Sequence, residues 1–266
     1  MPSLTLHYQP IFHRNSRRVL YYEALLRAPN TSTPNLFQSA ERRQVRIPLE
    51  REALRMFWQD ICSGHIAQHP VGLNLSPLAL CEDQASWRLL LKISKQQPFF
   101  LEITEDLPVH DTTRYRDRLL RLRELGVDLV RDDLGSGHAH FTDLLEYPFS
   151  YGKLDRRYFH WWFPKNRSEQ NRRTHLESLL QTLDWQSCYL IQEGVEHELS
   201  PALLTQLPSQ LQGLQGFGLG QPERTPWAAR KKCPPPQARN PHEEELSYFH
   251  KDFPVLGTGF SRPHVG

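Results

Sequence analysis

Two adjacent aspartates, Asp132 and Asp133, follow an apolar run that begins at Val127 and precede a turn containing Gly135 and Gly137. Short apolar runs bounded by turn residues predict a buried strand. Two neighbouring carboxylates at the end of such a strand repel each other. A Mg²⁺ or Mn²⁺ ion would offset that repulsion, because these ions prefer oxygen ligands. A solvated Asp-rich turn is the alternative interpretation of this stretch alone.

Further polar residues recur where other predicted strands end. They are Glu23, Asn74, Glu102, Lys153, Glu193 and Gln215. In a β/α barrel the carboxyl ends of the strands converge on one face, where active sites lie. Ordinary surface charge does not favour strand ends repeatedly, so we expect these side chains to form one site. An ion pair with Arg27 is the alternative explanation for Glu23, because a carboxylate in an apolar strand needs a partner.

Several carboxylates, an Asn and a Lys at one barrel mouth are typical of a site with two metal ions. Two ions close together stabilise the attacking and leaving oxygens of a phosphoryl displacement. Lys153 could orient the attacking hydroxide or neutralise phosphate charge, and Glu193 could take a proton from water. Arg27 suits a phosphate oxygen. The residues alone predict metal-dependent phosphoester hydrolysis, with a metal-dependent sugar or enolate enzyme as the alternative.

The elements that would position these residues alternate between strand and helix. An alternating run from Leu4 to Ile11, a polar turn at 14–17 and a second run from Val19 to Arg27 predict a hairpin. Further strands are predicted at 71–77, 99–105, 127–134, 149–155, 188–196 and 212–218. Helices are predicted at 36–62 with a break at Pro48, and at 78–97, 112–126, 141–147, 168–183 and 199–207. About eight strands with crossover helices indicate an α/β fold and fit a closed barrel better than an open sheet.

Composition excludes several classes of protein. The 266 residues carry a formal net charge of +2, so no nucleic-acid polymer is expected as a partner. The sequence shows neither a secretory signal nor an apolar run of membrane-spanning length, which predicts a cytoplasmic protein without membrane association. The four cysteines form no CxxC pair, so we expect free thiols. We expect a barrel over residues 1–228 and a Pro-rich, mostly disordered tail over residues 229–266.

The segment Glu23-Ala24-Leu25, followed by Leu26-Arg27, resembles the signature of the EAL domain family, the bacterial cyclic di-GMP phosphodiesterases. Other blocks are similar to the family's motifs and occur in its order. They are Tyr8-Gln9-Pro10-Ile11, Asn74-Leu75-Ser76-Pro77, Glu102-Ile103-Thr104-Glu105, Asp132-Asp133-Leu134-Gly135-Ser136-Gly137, Lys153-Leu154-Asp155, Glu193-Gly194-Val195-Glu196 and Gln215-Gly216. The resemblance spans residues 4 to 225. It implies a modified TIM-type (β/α)8 barrel whose first strand is antiparallel.

The resemblance also implies roles for individual residues. The ligands of Mg²⁺ or Mn²⁺, with two ions expected, would be Glu23, Asn74, Glu102, Asp132 and Asp133. Glu193 would act at the reacting water, as a water-mediated ligand and base. Lys153 would contact that water, and Glu196 would support the metal end of the site.

The remaining implied roles concern the substrate and the loop after the paired aspartates. The substrate groove would be lined by Gln9, Arg27, Asp155 and Gln215. Glu105 would brace the loop that follows Asp133. The implied reaction converts cyclic di-GMP to linear pGpG and lowers the level of this signalling molecule. The family resemblance also implies a homodimer.

The loop after Asp133 departs from the family pattern. The family reads Phe-Gly-x-Gly-Tyr-Ser-Ser there, whereas this chain has Leu-Gly-Ser-Gly-His-Ala-His at 134–140. In the family that loop couples metal binding to dimerisation. The departure motivates a second hypothesis, an EAL-like module that binds cyclic di-GMP or a protein partner without turnover. A third is a barrel enzyme that acts on another phosphodiester.

Overall fold

The computed structural model describes residues 4–66, 69–105, 109–181, 188–197 and 199–226. Within these ranges eight strands close into a barrel in chain order. The strands are β1 Thr5–His13, β2 Val19–Arg27, β3 Val71–Leu75, β4 Phe100–Ile103, β5 Asp128–Leu134, β6 Tyr151–Leu154, β7 Tyr189–Gln192 and β8 Leu211–Leu214. Strand β1 is antiparallel to β2 and to β8, and the other neighbours are parallel. The barrel with an antiparallel first strand confirms the predicted fold.

Helices lie between the parallel strands, as the alternating pattern predicts. They are α1 Thr33–Arg42, α2 Arg46–Cys62, α3 Pro77–Glu82, α4 Gln84–Ser94, α5 Thr112–Glu124, α6 Asp143–Glu146, α7 Arg167–Gln181 and α8 Pro201–Leu204. A 3₁₀ helix, Arg156–Trp162, follows β6. No helix in these described ranges is long and apolar enough to cross a bilayer. The expected tail over residues 229–266 lies outside the described residues and stays a prediction.

Two helix boundaries differ from the sequence expectation. The break expected at Pro48 lies at residues 43–45, and Pro48 is the third residue of α2. Proline is tolerated there because N–H groups in the first helical turn have no intrahelical acceptor. The helix expected over 78–97 is split at Asp83, whose carboxylate accepts hydrogen bonds from the Ala85 and Ser86 N–H groups and begins α4.

Glu23 lies at the centre of β2, not at its end as the sequence suggested. It is opposite Gln9 of β1 and beside Gly72 of β3. Strand β2 has nine residues and β3 has five, so the centre of β2 is level with β3. A Cβ on Gly72 would lie 2.9 Å from Glu102 Oε1, so glycine at this position leaves room for the carboxylates.

The barrel interior below Glu23 is apolar and aromatic. Tyr21 stacks on Phe100 with ring centroids 4.0 Å apart and planes 9° from parallel. Ile11, Val130 and Ile191 are the other buried residues of this layer. The polar side chains above it therefore rest on a close-packed floor.

Three cysteines lie in the described residues. Cys62, Cys81 and Cys188 are free thiols, as expected from their spacing. Cys233 lies outside the described residues.

Candidate active site

The side chain of Lys153 is the centre of the site. Its ammonium group lies 2.7 Å from Glu193, 2.8 Å from Glu102, 3.0 Å from Asp132 and 3.2 Å from Glu23. These carboxylates come from β2, β4, β5 and the residue after β7, and Lys153 comes from β6. We call the four acids and Lys153 the carboxylate cluster. The barrel thus brings together residues that are far apart in the sequence.

Two side-chain amides hold Glu23 in this cluster. Asn74 Nδ2 donates to Glu23 Oε1 at 2.6 Å, and Gln215 Nε2 donates to Glu23 Oε2 at 2.6 Å. Gln215 also lies 3.4 Å from Gln9 Oε1, and Gln9 donates to the Gly220 carbonyl oxygen at 3.0 Å. Glu23 is therefore fixed from both flanks, which limits the rotamers of its carboxylate.

A second acidic group overlaps the cluster. Carboxylate oxygens of Glu105, Asp132 and Asp133 lie within 4.8 Å of one another, as do those of Glu23, Glu102 and Asp132. Asp132 belongs to both groups. Asp133 has a φ of 47°, in the left-handed region that non-glycine residues rarely adopt. The turn that follows holds this conformation, because the Ser136 N–H donates to the Asp133 carbonyl oxygen at 2.9 Å.

Burial and mutual repulsion shift the proton affinities of these acids. Desolvation, followed by repulsion from Glu23, raises the pKa of Glu102 well above its ordinary value. Desolvation, followed by repulsion from Asp132, raises the pKa of Asp133 to about 10. Desolvation also raises the pKa of Glu193 to about 7. Acids with such strongly perturbed pKa values in one cleft mark a candidate functional site.

The pKa shifts of Glu23 and Lys153 favour the charged form of each side chain. Burial alone would raise the pKa of Glu23. The charge of Lys153 and the hydrogen bonds that Glu23 accepts outweigh burial, so the pKa of Glu23 is lowered. Burial alone would lower the pKa of Lys153, and the surrounding carboxylates instead raise it well above its ordinary value. One ammonium thus faces several acids, and the repulsion among them contributes to the raised pKa values of Glu102 and Asp133.

The donor set fits a hard divalent cation. Asn74 Oδ1 and Glu102 Oε1 are buried and accept no hydrogen bond from the described residues. Buried acceptors without a donor are costly, and a cation would satisfy them. Carboxylate and amide oxygens are the ligands that Mg²⁺ and Mn²⁺ prefer. The cluster with Asn74 could therefore hold such an ion.

Three of the expected site residues lie outside the contacts of the cluster. Arg27 donates to the Leu26 carbonyl oxygen and to Thr33 Oγ1, rather than pairing with Glu23. Asp155 accepts from the Arg157 N–H at 2.7 Å and begins the 3₁₀ helix. Their groove-lining roles stay predictions.

Glu196, the third of these residues, is exposed. It forms no hydrogen bond or ion pair with another part of the described chain. Its supporting role also stays a prediction.

Two buried polar side chains near the site did not emerge from the sequence. Arg131 lies in β5 directly before Asp132 and is 2% exposed. Gln192 lies directly before Glu193 and accepts a hydrogen bond from the buried Trp162 indole at 2.6 Å. The available signal was a polar residue inside an apolar strand, since such residues need partners.

The carboxylate cluster lies in a region that known proteins share. The family model described as "EAL domain" matches residues 2–222. The chain is 30% identical over 169 residues to the cyclic di-GMP phosphodiesterase PdeB of Shewanella oneidensis, which covers 57% of this chain and 19% of that protein. This chain therefore spans about a fifth of the length of that relative.

Solved structures share the fold. The structure titled PaMucR phosphodiesterase, c-di-GMP complex, matches with a TM-score of 0.66 and 23% identity, over 86% of this chain and 99% of that chain. A standalone EAL protein from Vibrio cholerae, in a c-di-GMP-bound form, matches with a TM-score of 0.62 and 20% identity, over 84% and 93%. At these identities the likeness supports the barrel architecture alone.

Proposed function

The chain belongs to the EAL domain family, and from that premise we propose that it hydrolyses cyclic di-GMP to linear pGpG. The observation that carries the proposal is the buried carboxylate cluster around Lys153 at the mouth of a closed barrel. The reaction adds water across one phosphodiester bond, so a phosphorus–oxygen bond forms to the water oxygen and the ester oxygen leaves with a proton. We propose that it takes place in the cytoplasm.

The proposed metal ions are Mg²⁺ or Mn²⁺. Glu23, Asn74, Glu102 and Asp132 would hold one ion, and Asp132 with Asp133 would hold a second. Asp132 belongs to both acidic groups, which supports a bridging role. When bound, such ions polarise the phosphate and lower the pKa of the attacking water.

The protein's own residues would handle the proton and the phosphate charge. Glu193 would accept the proton of the water, because its raised pKa of about 7 suits a group that takes up a proton near neutral pH. Lys153 would hold Glu193 in place through their 2.7 Å contact and offset negative charge in the site. Gln9, Arg27, Asp155 and Gln215 would bind the substrate, with Arg27 suited to a phosphate oxygen.

The test is chromatography of cyclic di-GMP incubated with the purified 266-residue chain and Mg²⁺ or Mn²⁺. Wild-type protein should produce pGpG, and Glu23→Ala should produce none. Full activity in Glu23→Ala would contradict the site assignment. Hydrolysis of other phosphodiesters in preference to cyclic di-GMP would point to another substrate.

A second candidate function is a module that binds cyclic di-GMP or a protein partner without turnover. The loop at 134–140 favours it, because its sequence Leu-Gly-Ser-Gly-His-Ala-His departs from the family pattern. Binding of cyclic di-GMP with no pGpG in Mn²⁺ would support this candidate. A homodimer stays a prediction of the family resemblance, and sedimentation of the 266-residue chain would test it.

A further inference from the structure

Arg131 lies on the opposite face of β5 from Asp132, since successive side chains of a strand alternate. Its side chain is 2% exposed and therefore needs partners for its charge and its donors. It finds them in three separate segments of the chain. We follow these contacts because they surround the turn that carries Asp133.

The guanidinium of Arg131 makes four polar contacts. Nη1 donates to the carbonyl oxygens of Ile103 at 3.0 Å and Thr104 at 2.8 Å, where β4 ends. Nη2 donates to the His138 carbonyl oxygen at 2.8 Å. Nε pairs with Asp143 Oδ2 at 2.6 Å. A planar guanidinium with donors in a fixed fork can satisfy these acceptors together, whereas a lysine ammonium is a single point charge.

Loop 134–140 is held through its backbone. The His138 N–H donates to the Glu105 carbonyl oxygen at 2.9 Å, and its carbonyl accepts from Arg131. The His140 N–H donates to Asp143 Oδ2 at 3.2 Å, the same oxygen that pairs with Arg131. The Arg131–Asp143 pair therefore holds two peptide groups of the loop.

The loop sets the position of the Asp133 carboxylate. Asp133 has a left-handed φ of 47°, and such a conformation persists only where the surroundings impose it. Asp133 directly precedes the loop, and the Arg131–Asp143 pair contacts the other end of the loop at His138 and His140. The same guanidinium fixes the end of β4, next to Glu105. Asp133 and Glu105 both contribute to the second acidic group.

We propose that Arg131 is a positioning residue for the metal site: its ion pair with Asp143 fixes loop 134–140 and thereby the Asp133 carboxylate. Arg131 lies in β5 and Asp143 in α6, so these two elements add to the order that the turn's own backbone hydrogen bonds provide. The catalytic consequence rests on the proposed function, and the positioning itself does not.

The test compares wild type with Arg131→Lys in the 266-residue chain. Mn²⁺ affinity is measured by electron paramagnetic resonance titration, and amide hydrogen exchange is measured at 134–140. Arg131→Lys keeps the positive charge but cannot make all of the guanidinium's hydrogen bonds. We therefore expect Mn²⁺ to bind about tenfold more weakly. We also expect faster exchange of the His138 and His140 amides. Unchanged affinity and exchange in Arg131→Lys would overturn the proposal.

A matched control uses an ion pair elsewhere in the fold. Arg51 pairs with Asp83 through two contacts of 2.7 Å each, at the start of α4. Arg51→Lys should leave both readouts unchanged even if it lowers the melting temperature. Equal losses in Arg51→Lys and Arg131→Lys would mean a general loss of stability and would overturn the proposal.

A second variant covers the case in which Arg131→Lys does not fold. Asp143→Asn removes the charge but keeps an oxygen acceptor, and it should weaken Mn²⁺ binding in the same direction by severalfold. Mn²⁺ binding and exchange unchanged in a folded Asp143→Asn would also overturn the proposal.

Failure of the proposed function is distinguishable, because neither readout uses cyclic di-GMP. If wild type hydrolyses cyclic di-GMP, Arg131→Lys should lower kcat and change KM less than twofold. If wild type binds Mn²⁺ without turnover, the function fails while the metal and exchange comparison still decides the role of Arg131.

Discussion

The ammonium group of Lys153 lies 2.8 Å from Glu102 Oε2, and both side chains are almost fully buried. Strand β5 separates the strands that carry them. Their contact therefore runs through the barrel interior rather than along the sheet. Lys153 offsets part of the repulsion among the acids. Its removal should therefore destabilise the metal-free protein most.

Lys153→Met should destabilise the protein in EDTA. Removing one partner of a buried ion pair leaves uncompensated charge, so we expect the free energy of unfolding to fall by about 3 kcal/mol. Mn²⁺ should raise the melting temperature of this variant by more than that of wild type, because the ion then meets no competing ammonium. Urea and thermal unfolding measure both effects.

Lys92→Met is the control for this prediction. Lys92 lies over the Trp58 ring on the outer helices, with its ammonium 4.4 Å from the ring centroid. We expect a loss of less than about 1 kcal/mol and an unchanged response to Mn²⁺. An Mn²⁺ response of Lys153→Met equal to that of the control would contradict the placement of Lys153 at the proposed metal site.

Metal addition alone should stabilise the barrel. At a free Mn²⁺ concentration one hundred times the dissociation constant, the free energy of unfolding should rise by about 2.7 kcal/mol. A chelator should reverse the gain. Glu102→Gln should lose most of it, because Glu102 offers a buried carboxylate oxygen without a hydrogen-bond donor. The same gain in Glu102→Gln would remove Glu102 from the ligand set.

Gly137→Ala should damage the turn after Asp133. Gly137 has a φ of 49°, and a Cβ there would lie 2.8 Å from the Glu105 carbonyl oxygen. Backbone cannot move aside as a flexible side chain can, so we expect weaker Mn²⁺ binding and at least a tenfold loss of the proposed activity, in line with other changes around metal ligands. Titration with Mn²⁺ and pGpG production are the measurements.

Gly126→Ala is the control for Gly137→Ala. It introduces the same unfavourable left-handed backbone without a clash like that between the added Cβ of Gly137→Ala and the Glu105 carbonyl oxygen. Gly126 has a φ of 80°, but nothing lies within 4 Å of a Cβ there. Gly126→Ala should lower the free energy of unfolding by about 1 kcal/mol and leave Mn²⁺ binding unchanged. Matching losses of Mn²⁺ affinity in the two alanine variants would show that the contact with Glu105 is not responsible.

The Trp162–Gln192 hydrogen bond should behave as a coupled pair. Trp162→Phe leaves the buried Gln192 Oε1 without its 2.6 Å donor, so we expect a loss of about 1–3 kcal/mol. Trp162→Phe combined with Gln192→Leu removes both polar groups and should cost less than the sum of the single changes. Urea denaturation of wild type, Trp162→Phe, Gln192→Leu and the double variant measures the coupling. Strict additivity would mean that the two side chains do not stabilise one another.

The barrel and most of the carboxylate cluster were predictable, because period, turn residues and strand-end acids are local signals. The hydrogen-bond partners of individual side chains were not predictable. Arg27 and Asp155 bind nearby groups, Thr33 and the Arg157 N–H, and the sequence cannot rank such local partners against a distant cluster. The distances between Lys153 and the four acids depend on strand stagger, which no short segment encodes.

Helix boundaries and Arg131 illustrate the same limit. The helical period runs through Asp83 without interruption, yet Asp83 ends one helix, and its side chain begins the next. Arg131 stands beside Asp132 in the sequence, but its acceptors lie at the ends of other elements. Tertiary contacts decide both outcomes.

The antiparallel first strand has a consequence for how the protein is made. Strand β1 pairs with β8, and Arg224 donates to the Leu6 carbonyl oxygen across 218 residues of chain. On the ribosome, the hairpin carrying Glu23 must wait for the last strand before its free edge is covered. Such long-range closure is slow and exposes apolar strands meanwhile. A chain arrested before β8 would therefore leave the edge of β1 uncovered and be prone to aggregation.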